Sequence, residues 1–200
     1  MLQKADVVLF DFDGTLSAHD SNVEFAKYCL RHSPRTWLFL PMILVGAIML
    51  IFNSASVRGR EIMRRYTNEQ MLKKFVPSFA KEYKRERFGW AADQVRAEHN
   101  AGRIVILVSA SADYLIHQLV RDMKFDAVLC SRMNPKKPWK YEFLCWGANK
   151  VIAIDTWARR NKIIPRVVRA YSDSKSDMPM MELAAEQVWI DAKTGLRKHA

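Results

Sequence analysis

Three short runs constrain the fold more than any other feature of this chain. VVLF (7–10), RIVILVS (103–109) and RVVRAY (166–171) are rich in β-branched residues, and each ends in a polar loop. Continuous apolar character over so few residues predicts strands covered on both faces, as in a parallel sheet. AVLC (127–130) and QVWI (187–190) read as two further strands. Helical patterns lie between them, over 21–31, 90–99, 113–123 and 149–160 and from Met178. Thr67-Asn68-Glu69-Gln70 forms a capping-box pattern that opens a charged helix toward Arg87. NPKKPWK (134–140) reads as a loop. Strands alternating with helices predict an α/β fold, a parallel sheet wrapped by helices. Residues 17–88 carry only helical patterns and read as an insertion after the first strand. That leaves 1–16 and 89–200 as the core. No internal repeat or low-complexity tract interrupts the pattern.

The chain has 200 residues, enough for one core and a smaller second domain, and half of them are apolar. Lys and Arg number 32 against 21 acids, a net +11. This excess favours anionic partners: phosphorylated metabolites, lipid headgroups or nucleic acid. Nucleic acid is not expected, because the aromatic residues are scattered and no recognised module appears. The three cysteines, Cys29, Cys130 and Cys145, and the five histidines follow no metal-ligand spacing. An odd, unpatterned cysteine set fits a reducing, cytoplasmic setting. The early acids Asp6, Asp11 and Asp13 argue against a secretory leader.

Chemistry concentrates where the strands end, the edge at which open α/β sheets bind ligands. The first such loop is DFDGT, with Asp11, Asp13, Gly14 and Thr15. The second is VSAS, with Ser109 and Ser111, and the third is YSDSKSD, with Asp173 and Asp177. Lys150 opens the helix that follows CWGAN. Four carboxylates at one edge repel one another unless a cation neutralises them. Hard oxygen ligands of this kind suit Mg²⁺, which takes one or two carboxylates plus waters and substrate phosphate. A lysine and a hydroxyl would hold the remaining phosphate oxygens, so the parts point to phosphoryl transfer.

With these residues in order, the sequence resembles the haloacid dehalogenase superfamily. D-x-D-G-T, a serine ending an apolar strand, a lysine and an acidic pair after another strand are its four motifs. The resemblance implies a Rossmann-like core with an α-helical cap inserted after the first strand, as in the subfamily that includes phosphoserine phosphatase. It also implies a phosphatase. Asp11 would be the nucleophile that forms an aspartyl-phosphate. Asp13 would be the general acid, then the base for water. Ser109, Lys150, Gly14 and Thr15 would bind the substrate phosphate. Asp11, the Asp13 carbonyl and Asp173 would hold Mg²⁺. Asp177 would support a metal-bound water or Lys150, and Ser111 would cap the following helix. C-x-G-x-x-K around Lys150 and Y-S-D-S-x-x-D around Asp173 resemble the branch containing a bacterial phosphatidylglycerophosphatase. Ser109-Ala110-Ser111 stands where phosphoserine phosphatases usually have Ser-Gly-Gly, and Ala110 restricts the backbone there. The expected substrate is therefore a lipid phosphate such as phosphatidylglycerophosphate, or else a small soluble phosphoester such as phosphoserine. A non-enzymatic, basic membrane- or nucleic-acid-binding protein is the rival of another class.

Residues 37–52, WLFLPMILVGAIMLIF, are wholly apolar and flanked by Arg31, Arg35, Arg58 and Arg60. As one helix they would span about 24 Å, short of the roughly 30 Å hydrocarbon core. A single crossing would also leave Asp11 and Ser109 on opposite membrane faces. The run is expected either to touch an anionic membrane from the cytoplasmic side, or to be buried in the cap or a dimer interface.

Overall fold

A computed structural model describes residues 3–198. Strand β1 (Gln3–Phe10) leads into five helices: α1 (Ser21–His32), α2 (Pro34–Trp37), α3 (Leu40–Phe52), α4 (Val57–Met63) and α5 (Glu69–Tyr83). After a 3₁₀ turn at Lys84–Glu86 come α6 (Ala91–Asn100), β2 (Ile104–Ala112), α7 (Asp113–Leu119), β3 (Ala127–Asn134) and β4 (Lys137–Phe143). The chain continues with α8 (Ala148–Arg160), β5 (Ile163–Ser172), a 3₁₀ turn at Lys175–Asp177, α9 (Met178–Met181) and β6 (Glu186–Trp189).

The sheet order is β4-β3-β2-β1-β5-β6. All neighbours are parallel except β3 and β4. Val7, Val8, Leu9 and Phe10 of β1 are fully buried, and their side chains alternate between two cores. Val8 and Phe10 face one packed by α1, α5, α6 and α7, whereas Val7 and Leu9 face one packed by α8 and α9. The Phe10 ring stacks on Tyr171 of β5 at 4.3 Å. Strand β1 has β2 on one side and β5 on the other, so its carboxyl end opens at the switch point of the sheet.

Between β1 and β2 the described chain builds helices alone up to Glu86. Where the insert leaves and rejoins the sheet layer, its two ends are bonded to each other. Phe88 N–H donates to Leu16 O (3.0 Å) and Ala18 N–H to Glu86 O (2.9 Å).

Four details differ from the sequence reading. NPKKPWK is the turn and first half of an antiparallel edge strand, because Asn134 Oδ1 accepts from the amides of Lys136 (3.1 Å) and Lys137 (2.9 Å). Pro138 is tolerated on that edge. Helix α7 stops at Leu119 rather than Met123: the Arg87 guanidinium takes the Leu119 carbonyl, and the Met123 amide turns to Val120 O instead. Asn68, not Thr67, caps α5, accepting from Met71 N–H at 2.9 Å. The apolar run breaks at Leu38 and Phe39, because Pro41 belongs to a first turn and not to a helix interior. What remains, α3, is not buried within the chain: Gly46 alone of its residues is. Among the described residues no helix is long and apolar enough to cross a membrane.

One buried ion cluster ties α6 to the sheet. The Glu98 carboxylate accepts from Arg169 (2.6 Å), Tyr171 (3.0 Å), Gln94 (3.0 Å) and Arg103. Burial would raise its pKa, but these donors outweigh burial and hold it below the ordinary glutamate value. Glu98→Gln should therefore cost about 3 kcal/mol near neutral pH, the scale for breaking a buried ion pair. A lowered folded-state pKa means that this stability is present above the unfolded value and lost as pH falls through the folded one. Urea midpoints of wild type and variant should begin to converge as pH falls below the unfolded glutamate value of about 4.3 and meet only below the folded-state value. A constant gap down to acid pH would remove the ionised carboxylate from the account.

Candidate active site

Strand β1 ends at Phe10, and the Asp11 amide still bonds to Tyr171 O of β5 (3.0 Å). The chain then tightens: the amides of Leu16 (2.8 Å) and Ser17 (3.2 Å) both return to Phe12 O. Gly14 has φ +79°, and a Cβ there would collide with the Asp173 carboxylate. Only glycine fits this turn, which brings the first loop against the loop after β5.

Asp11 is 6% exposed, and its side chain is held from two sides. Lys150 Nζ donates to its Oδ1 at 2.7 Å, and Thr15 Oγ1 donates toward its Oδ2 at 3.1 Å. The same Lys150 ammonium donates to Asp177 Oδ2 at 2.7 Å, where Ser172 Oγ also donates (2.7 Å). Asp177 thus orients Lys150. Burial disfavours the charge on Lys150, but Asp11 and Asp177 outweigh it and hold its pKa above the usual lysine value. Burial raises the Asp11 pKa, against the pull of Lys150. Asp173 receives Thr15 from the other side: its amide donates to Thr15 Oγ1 (3.1 Å), and its Oδ1 lies 3.3 Å from that hydroxyl. Its pKa is likewise raised, chiefly by burial.

Asp13 lies in a different environment. Its carboxylate faces the start of α1 and the end of β2, accepting from Ser21 N–H (2.6 Å), Ser21 Oγ (3.2 Å) and Ser111 Oγ (2.6 Å). Burial, then the nearby Asp20, push its pKa up to about 8. A raised pKa is what a carboxylic acid needs to donate a proton near neutral pH. Ser111 is not the helix cap that its position suggests: Ala112 precedes α7 without a side-chain cap. Strand β2 runs on through Ser109 and Ser111, with a break in its register against β3, and this turns the Ser111 hydroxyl toward Asp13. Ser109 Oγ accepts the Ser111 amide at 3.1 Å.

These groups surround a cleft of about 320 Å³. Asp11, Asp13, Gly14, Lys150, Asp173 and Asp177 line it, while Thr15 and Ser109 are fully buried and do not. The insert adds Asp20, Asn22 and Arg60 to the lining, and Trp146 joins them. Arg60 lies over the Trp146 ring at 5.8 Å, and its buried Nε has no partner. Sequence reasoning missed these four. Asp20-Ser21-Asn22 carries a helix-start signal, and Asp20 indeed caps α1. Arg60 registered only as a flank of the apolar run.

The donor set fits Mg²⁺. Among the described residues no three His, Cys, Asp or Glu side chains form a ready cage. The reason is that the Asp13 carboxylate turns away, which leaves Asp11 and Asp173 adjacent at one hydroxyl. A buried Asp11 and a half-buried Asp173 that repel each other suit Mg²⁺, which takes one or two carboxylates and rarely an all-protein cage.

A mostly parallel sheet with paired aspartates after its central strand, a buried lysine and a second acidic loop defines a class of α/β fold whose site lies at the carboxyl edge of the strands. The sequence pattern of the haloacid dehalogenase-like hydrolases matches residues 8–182, and the chain belongs to that family. A probable phosphatase of Mycobacterium tuberculosis is 32% identical over 116 residues, 56% of this chain. The chain spans only 40% of that relative's length. A Bordetella pertussis protein of unknown function has a similar fold, with TM-score 0.72, 18% identity, and coverage of 94% of this chain and 91% of that one. A phosphoserine phosphatase solved as a phospho-aspartyl intermediate analogue is similar as well, with TM-score 0.61, 18% identity, and coverage of 94% and 87%.

Proposed function

We propose that the chain is a Mg²⁺-dependent phosphomonoester hydrolase that works through an aspartyl-phosphate on Asp11 and acts on a lipid phosphate of the phosphatidylglycerophosphate type. One observation carries the reaction: neighbouring aspartates in one loop have different partners, Asp11 the Lys150 ammonium and the Thr15 hydroxyl, Asp13 the Ser21 amide at the start of α1 and the Ser111 hydroxyl. Two carboxylates held by different partners can take separate roles. Asp11 attacks phosphorus, the bond to the leaving oxygen breaks, and Asp13 gives that oxygen its proton. Asp13 then takes a proton from the water that attacks the aspartyl-phosphate, releasing inorganic phosphate and restoring Asp11. Lys150 holds the phosphate, with Gly14 and Thr15 shaping the loop around it, while Ser109 lies buried outside the cleft lining and accepts the Ser111 amide. Asp11, Asp173 and the Asp13 carbonyl would hold Mg²⁺, which when bound offsets the charge of the phosphate and the carboxylates. The helical insert acts as the cap.

Support for a lipid substrate comes from the exposed apolar α3 within a basic insert, which suits contact of residues 37–52 with an anionic membrane. A second reading has its own observation. Asp20 and Arg60 both line the cleft and give it charges of both signs besides the catalytic carboxylates, which suits a small zwitterionic phosphoester. The phosphoserine phosphatase fold neighbour belongs to that reading.

Turnover of phosphatidylglycerophosphate in mixed micelles, of phosphoserine and of an aryl phosphate, each with Mg²⁺ or with a chelator, tests the proposal. The lipid should be the best substrate and chelation should abolish activity. Preference for phosphoserine would replace the lipid reading, and chelator-resistant turnover would remove the metal. Asp173→Ala should weaken Mg²⁺ binding, measured by calorimetry, by more than the roughly 10- to 100-fold of an outer-partner loss. Asp177→Ala should fall within that range.

A further inference from the structure

Helix α3 is apolar on every side, yet the chain covers little of it. Helices of this kind belong in a core or a membrane phase. Leu44, Val45, Ile48, Ile51 and Phe52 are each at least half exposed, Phe52 at 86%, and Leu38 and Trp37 extend the surface at 79% and 58%. Within the helix the exposed positions recur three and four residues apart, so they form one stripe. The opposite side holds Gly46, where a Cβ would lie 2.6 Å from Gly59 O of α4. The two helices therefore meet backbone to backbone, and the stripe is fixed to the helix that brings Arg60 to the cleft.

Charge decides what covers the stripe. No Asp or Glu occurs from residue 25 to residue 60, and that stretch carries Lys27, Arg31, Arg35, Arg58 and Arg60. Residues 17–88 hold thirteen Lys and Arg against six acids. A second copy docked on the stripe, in either direction, would bring basic flanks against basic flanks. An anionic bilayer offers apolar depth for the stripe and negative charge for both flanks. We infer that the exposed stripe of α3, from Leu44 to Phe52 with Leu38, docks in the interface of an anionic bilayer and lies along it without crossing. The inference deepens the lipid-phosphate reading by naming the surface that reaches the lipid.

Co-sedimentation of the full chain with vesicles of phosphatidylcholine, with and without phosphatidylglycerol, tests it. Binding should be strong on the anionic vesicles at low salt, at least tenfold weaker on the neutral ones, and reduced by salt. The triple variant Leu44→Glu/Ile48→Glu/Phe52→Glu changes only exposed side chains, so circular dichroism should match wild type. It should lose vesicle binding at least tenfold and still hydrolyse a soluble aryl phosphate. Wild type that ignores anionic vesicles, or a folded variant that binds them undiminished, would overturn the inference. So would a wild-type dimer that the variant turns into a monomer. Loss of aryl phosphate turnover by wild type would instead strike the proposed reaction and leave the vesicle result standing.

Discussion

Asp11→Asn should reduce turnover by roughly 10⁴-fold or more, the scale seen when a nucleophile is removed, in a chain that still folds. The amide keeps the shape and can still accept from Lys150 Nζ, now 2.7 Å from Oδ1. It cannot form the covalent intermediate. Stability should fall little, since burial already disfavours the charge on Asp11 and a neutral group avoids that cost. Phosphorylation trapped on the wild-type enzyme by acid quench, and absent from the variant, would place the intermediate on this residue. Near-normal turnover in folded Asp11→Asn would end the covalent mechanism.

Lys150→Met should damage stability and chemistry together. Lys150 is 2% exposed, and its ammonium meets two carboxylates at 2.7 Å each. Methionine fills the volume but leaves Asp11 and Asp177 facing each other without a cation. Removing one partner from a buried ionic group costs about 3–5 kcal/mol. Turnover should also fall by roughly 10²- to 10³-fold, the range for losing one preorganised stabiliser of developing charge. Urea denaturation reads the first effect and aryl phosphate turnover the second. Asp177→Asn is the informative companion: it keeps the Lys150–Asp11 pair, so its losses should be smaller in both assays. Equal losses would make Asp177 as important to phosphate binding as Lys150.

The residues visible in the sequence were those whose signal is local. An apolar strand running into D-x-D-G-T announces its own position, and the loops bearing Asp173 and Lys150 follow comparable strand and helix boundaries. Sheet, helical insert and acidic edge were therefore legible. Contacts between distant segments were not. The serine read as a helix cap, Ser111, bonds to Asp13, 98 positions away along the chain. Arg87 ends α7 from 32 residues upstream. The edge strand β4 hides in a lysine- and proline-rich stretch because its stability comes from β3 and from the Asn134 turn. Arg60 reaches the cleft because α4 packs on α3, which no periodicity within α4 announces. Exposure of α3 was equally silent: an apolar run reads the same whether protein or lipid covers it.

The bonded ends of the insert have a consequence for how such a molecule can change. Phe88 and Leu16 are hydrogen-bond neighbours, so β1 reaches the rest of the sheet layer whatever length of chain loops out between them. The insert is a graft with its two roots side by side. Its helices can be shortened, exchanged or given a greasier surface, and the distance from Asp11 to Lys150 and Asp173 does not have to follow. Selection for a new surface can act on the outer helices of the insert while the start of α1, which holds Asp13 through Ser21, stays as it is.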